Sequence, residues 1–427
     1  MSAARQQTDV AVIGGGPAGT TFAHRLARAG HSVVVVEQSQ HPRFCVGESL
    51  LPATMPLCAE LGLLERFEKQ RFARKYGAYF CFEDGAAPEY FHFPDASRCP
   101  AEHAYEVRRA DFDRVLWEAA LEAGAEGRDR TTVERVRFEG ERATGLDLVD
   151  PDGRRERLDA RLVADCSGRT TLLGHQLGLR TRDTKLHKIA LYTHYADILR
   201  STGDDAGTIA IVATPFGWMW LIPFSDGGAS VGAVIDRSWY GERRRAGVDH
   251  DALWAEVLEI VPAVGQRLRG ARQSRPLEAT ADFQYRLDRW AGDGWLVAGD
   301  AGAFLDPVFS SGVHLAMTGA DRASRAALRT LAKARLPVAA DFAAYERESR
   351  AALGIYAKFI YAWYDPAFRQ VFMRPPHDRP GVGWLKREII SVLAGAVLPT
   401  WRVRPPIELL LFFARLRARE LQREAAA

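Results

Sequence analysis

The residues with the plainest chemical meaning are glycines. Gly14, Gly16 and Gly19 stand in G-x-G-x-x-G spacing within DVAVIGGGPAGTTFAHRLARAGHSVVVVEQ. In such a spacing the first glycine permits a tight turn, the second lets the backbone approach a pyrophosphate, and the third lets a helix pack close on a strand. A helix N-terminus just after them offers unpaired N–H groups and a positive dipole end to phosphate oxygens. Glu37 closes the next apolar run 18 residues after Gly19, where a carboxylate accepts from ribose hydroxyls and disfavours a 2′-phosphorylated nucleotide. A second group lies far downstream in GDGWLVAGDAGAFLDPVFSSGVHLAM. Asp300, at the end of a short strand, suits polyol hydroxyls such as those of a flavin ribityl chain. Pro307 and the small residues Ser310, Ser311 and Gly312 permit a flat ring to approach backbone N–H groups at a helix start.

These groups act only if regular elements hold them. Val10 to Ile13 reads as a buried parallel strand, Phe22, Leu26 and Ala29 follow at helical intervals, and Val33 to Val36 forms the second strand. Trp295 to Ala298 is a third short strand. Arg109 to Glu122 has a helical pattern, and residues 131–166 alternate as a β-meander turning at DPDG. Residues 186–290 read as mixed strands, an antiparallel sheet that covers the ring-binding end, and residues 311–350 as helical. From Ile355 the chain turns aromatic and then basic, with eleven Lys/Arg against five Asp/Glu from Arg369 onward and a last helix expected after Pro405-Pro406. An apolar stripe packed on its own domain is the expected role of that helix, ahead of docking to an acidic carrier protein or lying on a membrane surface.

The fold expected is therefore α/β with an α+β part: a Rossmann-type dinucleotide domain (1–185 and 270–350, with an inserted segment 40–105), an antiparallel-sheet substrate domain (186–269) and a helical C-terminal region (351–427). Composition fits a globular chain: 47% hydrophobic, 26% charged and a formal charge of +3, which excludes nucleic acid as a partner on charge grounds. No apolar run reaches the ~18 residues of a membrane span. MSAARQQTDVAVIGGG runs straight into a strand, so a cytoplasmic location is expected. Five scattered cysteines show no metal spacing and are expected as free thiols, with no structural metal. No second G-x-G-x-x-G unit serves a nicotinamide nucleotide, so reduction by NAD(P)H is transient at the flavin face or falls to a separate reductase.

With RLVADCSGRTTLLG and EVRRADFDRVL, the two nucleotide signatures resemble the FAD-binding domain of p-hydroxybenzoate hydroxylase-like flavoproteins. That resemblance implies non-covalent FAD, with the ADP half at Gly14, Gly16, Ala18 and Gly19, the ribityl chain at Asp300, and Arg109 near the cofactor. RFCVGESLLPATMPLCAELGLLERFEK, Lys75 in RKYGAYFCF, and Trp218, Trp220, Ile222 and Pro223 in W-x-W-x-I-P narrow it. Together these resemble the flavin-dependent halogenases, above all those acting on carrier-protein-bound pyrrole or phenol rings, over about residues 8–350. The implied chemistry starts from FADH2 and oxygen. Chloride or bromide is converted to hypohalous acid at the flavin, and the oxidant moves to a separate pocket where Lys75 activates or traps it.

The resemblance also implies that Glu48, Ser49, Pro307, Gly312 and Val313 belong to the cofactor site and that backbone N–H groups near Ser311-Gly312 hold the halide. Trp218 and Trp220 then plug the place a hydroxylase substrate would occupy. Phe309 stands where halogenases of free tryptophan often carry a glutamate, which argues against free tryptophan. Implied partners are a separate flavin reductase and an acyl or peptidyl carrier protein. A same-fold monooxygenase or dehydrogenase that uses no halide, and a flavin-binding protein without turnover, stay open as alternatives.

Overall fold

The computed structural model describes residues 5–85, 88–281, 284–373 and 383–426. Its first sheet runs Ala291–Gly292, Trp295–Val297, Arg155–Asp165, Arg5–Ile13, Val33–Val36, Glu126–Arg128. Arg5–Ile13 pairs in parallel with both neighbours, Ile13 standing between Asp165 and Val36. Parallel strands covered on both faces read as unbroken apolar runs, and Val33–Val36 is buried at all four positions. Helices Pro17–Arg28 and Ser311–Leu331 pack on each other and on this sheet. The hairpin Thr132–Glu139/Arg142–Val149 continues antiparallel into Arg155–Asp165, as the alternating pattern predicts.

The second sheet runs Arg272–Gln273, Lys188–Ala196, Ala229–Asp236, Gly217–Pro223, Ile209–Thr214, Gly77–Phe82, Glu89–His92. Period-two alternation sorts the W-x-W-x-I-P motif: Trp218, Trp220 and Ile222 face one apolar cluster, Met219 and Leu221 the opposite one. Strands Gly77–Phe82 and Glu89–His92 extend this sheet from well before residue 186. The reading of 186–290 as strands alone is corrected. Helices Arg237–Arg245 and His250–Ile260 interrupt it, and Leu253, Trp254 and Val257 supply a helical stripe against the back of the sheet.

The C-terminal region is helical: Ala343–Trp363, Pro366–Met373, Gly383–Leu393 and Thr400–Ala426. The last helix begins before Pro405 and Pro406 rather than after them. The prolines sit in its second turn, where their fixed φ is already helical and each removes one backbone donor. The rest of VFMRPP, Arg374 to Pro376, lies outside the described residues. Phe80, Phe91, Phe309, Phe359, Trp363, Phe368 and Phe372 close a dense aromatic cluster under the tryptophan face, with Phe91 and Phe372 stacked at 4.8 Å. No described helix is long and apolar enough to cross a membrane.

Candidate functional site

The dinucleotide turn is held by close backbone approach. Gly14 has φ +99°, and a Cβ there would lie 2.5 Å from the Cys166 carbonyl oxygen. A Cβ at Gly19 would collide with the Gly14 carbonyl. Gly16 is looser, its open side meeting only Arg43 Nη2 at 3.4 Å. Gly299, at φ +66°, brings the downstream turn against Ala18, so the two nucleotide signatures touch. Glu37 Oε2 accepts the Gly15 N–H at 2.8 Å and Oε1 the Ser39 N–H at 2.9 Å. The carboxylate thus braces the turn as well as lining the cavity, and each oxygen keeps a second lone pair for a ribose hydroxyl.

A cavity of about 640 Å³ runs from Gly14, Gly16 and Glu37 past Gly47–Ser49 and Asp300 to Pro307 and Ser310–Val313. Arg109 forks onto Asp113 at 2.7 and 2.9 Å and donates to the Val46 carbonyl at 2.8 Å, which pins the segment carrying Glu48 and Ser49 over the cavity. Burial pushes the Asp300 carboxyl up to about 6, opposed by Arg109 and Arg169. Ser310, at φ 54°, turns the chain into helix Ser311–Leu331, whose first N–H groups have no intrahelical acceptor. A Cβ on Gly312 would meet nothing within 4 Å. A collision-tight turn, an acid at the second strand end, a half-buried Asp300 and a free helix start form a set that suits the ADP, ribityl and ring portions of FAD.

The tryptophans stand at the cavity wall with ring centroids 5.6 Å apart. The Trp220 indole N–H donates to Ser230 Oγ at 3.1 Å, and its ring fills the space beside Gly232, where any Cβ would collide. The Trp218 N–H donates to Tyr364 Oη at 3.2 Å, and Tyr364 donates on to Asp306 Oδ2 at 2.7 Å. Burial pushes the Asp306 carboxyl up to about 6, with Tyr364, the Val308 N–H, Lys188 and Trp218 opposing.

Lys75 is 1% exposed. Its strand, Ala73–Lys75, pairs with Ala104–Glu106. Nζ donates to Ser49 Oγ at 2.7 Å and to the Leu50 carbonyl at 3.2 Å, and lies 5.4 Å from the Phe93 ring centre. Ser49 in turn donates to Glu106 Oε1 at 3.1 Å. Burial lowers the Lys75 ammonium from its usual range, with Glu106 opposing, and pushes Glu106 up to about 8, with Lys75 opposing. Sequence places Lys75 among Arg71 and Arg74, and neighbouring cations are, beside desolvation, an expected cause of a lowered value. Of the two expected causes, desolvation and the cations, burial is the one at work, and Arg74 is engaged with Glu68 at 2.9 Å. Lys75 does not itself line the cavity; Ser49 and Glu48 do.

Sequence reasoning misses four polar residues here: Glu106, Asp306, Tyr364 and His194. His194 Nε2 lies 2.7 Å from Glu48 Oε1, and Arg108 Nη1 donates to Nδ1 at 3.2 Å, the tautomer with its proton on Nε2. Phe309 faces the Phe80–Phe372 cluster, and Val313 packs with Leu50 and Tyr105 while edging the cavity.

This geometry defines a class before any comparison: an FAD-binding enzyme fold with an indole-walled ring site and a sequestered amine. Residues 7–346 match the model of the FAD binding domain family. The chain belongs to that family and, within it, to the flavin-dependent halogenases. It is 32% identical over 340 residues to a 1H-pyrrole-2-carbonyl-[peptidyl-carrier protein] chlorinase of Pseudomonas fluorescens, covering 74% of each chain. To the corresponding brominase of Pseudoalteromonas luteoviolacea it is 29% identical, covering 91% of each. Among solved structures it resembles the myxobacterial chondrochloren halogenase at TM-score 0.80 and 31% identity, over 96% of this chain and 97% of that one. It resembles a flavoprotein/dehydrogenase from Cytophaga hutchinsonii at TM-score 0.85 and 28% identity, over 97% and 100%.

Proposed function

We propose that the protein halogenates an electron-rich aromatic ring, a pyrrole or phenol, with reduced FAD, oxygen and chloride or bromide. The observation that carries this reading is the separation of an indole wall from a buried amine. Trp218 and Trp220 wall the ring end of the FAD cavity, while Lys75 sits outside that cavity behind Ser49. When bound, reduced FAD supplies the electrons for oxygen and thereby the oxidant that turns halide into hypohalous acid.

Each residue has a part in that scheme. Gly14, Gly16, Ala18 and Gly19 admit the pyrophosphate, Glu37 takes the ribose, and Asp300 takes the ribityl hydroxyls. Arg109 holds the Val46–Ser49 segment, with Glu48 and Ser49, over the cofactor. Ser311, Gly312 and Val313 present the helix-start N–H groups, which favour a halide beside the ring, and Pro307 shapes the turn before them. The indoles exclude water and an aromatic substrate from the ring face. Lys75 polarises hypohalous acid by donating a hydrogen bond to its oxygen. The arene then gains a carbon–halogen bond, loses its ring proton and releases water. Ser49 and Glu106 hold the amine in place, and Glu106, pushed up to about 8, is a proton store beside it.

The carrier-protein substrates named for the two pyrrole-halogenating relatives support a tethered ring for this chain as well. A separate flavin reductase and a cytoplasmic setting complete the proposal. A single-turnover reaction of the FADH2-loaded protein with bromide and a pyrrole-2-carbonyl thioester tests it. Bromide-dependent replacement of a ring hydrogen supports the reading, and oxygen insertion independent of halide rejects it in favour of a monooxygenase.

A further inference from the structure

The cavity does not end at the ring-binding turn. It continues between helices Ser311–Leu331 and Ala343–Trp363, lined by Leu315, Ala316 and Gly319 from one and Leu353, Tyr356 and Ile360 from the other. Gly319 follows Ala316 and Leu315 by three and four residues, and Leu353, Tyr356 and Ile360 are three and four apart, so each helix presents one stripe to the groove. At the far end stand Arg322 and Ser349. Arg322 is ten positions beyond Gly312, about 15 Å along the helix axis.

Arg322 is turned back over the groove. A Cβ at Gly319 would lie 4.0 Å from its Nη2, and its Nε reaches Ser349 Oγ at a long 3.5 Å. Burial lowers its basicity, and Tyr345, Glu348 and Asp321 oppose this only at a distance. Among the described residues no carboxylate forms an ion pair with Arg322. Its neighbour Asp321 is committed to Arg25 and Arg325. The arginines at the nucleotide end are treated differently, since Arg43 and Arg109 both hold Asp113. Desolvating a guanidinium without a counter-charge is costly. Arg322 is half-buried, and its guanidinium lines the groove beside the buried Ser349, an arrangement that suits an anion.

We infer that Arg322 and Ser349 form a subsite for the anionic end of an elongated ligand whose apolar body fills the groove and whose other end reaches the flavin side of the cavity. The guanidinium fork suits a carboxylate or a phosphate equally, and Ser349 Oγ adds one donor. A free acid substrate brings the first; a substrate carried on a phosphate-bearing arm brings the second. The subsite goes beyond the halogenation reading and does not depend on it, because binding is read without turnover.

The test uses the full chain loaded with oxidised FAD and three probes: octanoate, octyl phosphate and the neutral octanol. Both anions are expected to raise the melting temperature and to saturate in calorimetric titration, while octanol gives the weaker response. Arg322→Gln should weaken the anions by roughly 10- to 100-fold, the range of a lost charged hydrogen bond, and leave octanol unchanged. Without ligand, Arg322→Gln should melt at the same or a higher temperature, since a half-buried charge without an ion-pair partner is gone. Tighter octyl phosphate than octanoate identifies the phosphate source, and the reverse identifies the carboxylate; either supports the subsite. Equal responses to octanol and octanoate overturn it. So does an Arg322→Gln variant that melts lower while keeping its response to the anions, which makes the arginine structural. Failure of halogenation with these binding results intact rejects the function and leaves the subsite standing.

Discussion

Lys75→Met isolates the amine from everything else at its position. Methionine keeps an unbranched apolar stem of similar length in a slot that is 1% exposed and deletes only the ammonium. Two hydrogen bonds go with it, 2.7 Å to Ser49 Oγ and 3.2 Å to the Leu50 carbonyl. Ser49 still has Glu106, so the buried group left alone is the Leu50 carbonyl, at about 1–3 kcal/mol. The relieved desolvation of the ammonium works in the opposite direction. The net cost therefore lies between zero and about 3 kcal/mol, a melting shift of no more than about 10 °C. FAD affinity and the rate of flavin reoxidation by oxygen should stay near the parent values, since Lys75 does not line the FAD cavity. Halogenated product should fall by about 10²–10⁴-fold, the worth of a positioned proton donor. Arginine should not rescue it, because a planar guanidinium does not reproduce the compact ammonium's bonds to Ser49 Oγ and the Leu50 carbonyl and gives up a proton far less readily. Stopped-flow reoxidation, product mass and a solution trap for hypobromous acid are read on one sample. Undiminished bromination by Lys75→Met would refute the assignment of the amine to the oxidant.

Other perturbations separate the remaining parts. Trp218→Phe keeps most of the ring and removes the donor to Tyr364, so it should raise hydrogen peroxide released per flavin oxidised; an unchanged peroxide yield would remove Trp218 from the barrier. Gly19→Ala should abolish FAD binding because its Cβ collides with the Gly14 carbonyl, whereas Gly16→Ala meets only the Arg43 guanidinium at 3.4 Å and should retain it; fluorescence titration with FAD reads both. For Glu106 the folded chain keeps a proton up to about 8 that the unfolded chain releases near the ordinary glutamate value of 4.5. Its stabilising contribution is complete below the lower value and lost as pH rises through the upper one. Glu106→Gln should therefore flatten the fall in melting temperature across that window, and an unchanged profile would contradict the raised carboxyl.

The parts legible in the sequence are those whose physics is local. Gly14, Gly19 and Glu37 sit within one strand–helix–strand unit, so spacing alone places them. Trp218 and Trp220 share a face because strands alternate. The Lys75–Ser49–Glu106 array is different in kind. It joins three stretches through the pairing of Ala73–Lys75 with Ala104–Glu106 and of Ser49 with Glu106, and nothing in AYEVRRADF marks that acid apart. Tyr364 reaches Asp306 across 58 residues of sequence, from a region that composition identifies only as aromatic. Helix His250–Ile260 is missed because the β-rich stretches around it dominate the reading, although Asp249 caps it by accepting the Ala252 N–H at 2.8 Å.

The most direct measurement of oxidant formation at one site and use at another is oxidation of the FADH2-loaded protein by oxygen, with and without bromide, in the absence of aromatic substrate. Trapped hypobromous acid should appear as bromide is added while hydrogen peroxide falls by the same amount, at an unchanged rate of flavin reoxidation. Peroxide release that is indifferent to bromide, with oxygen incorporated into the ring once a phenol is supplied, would contradict it.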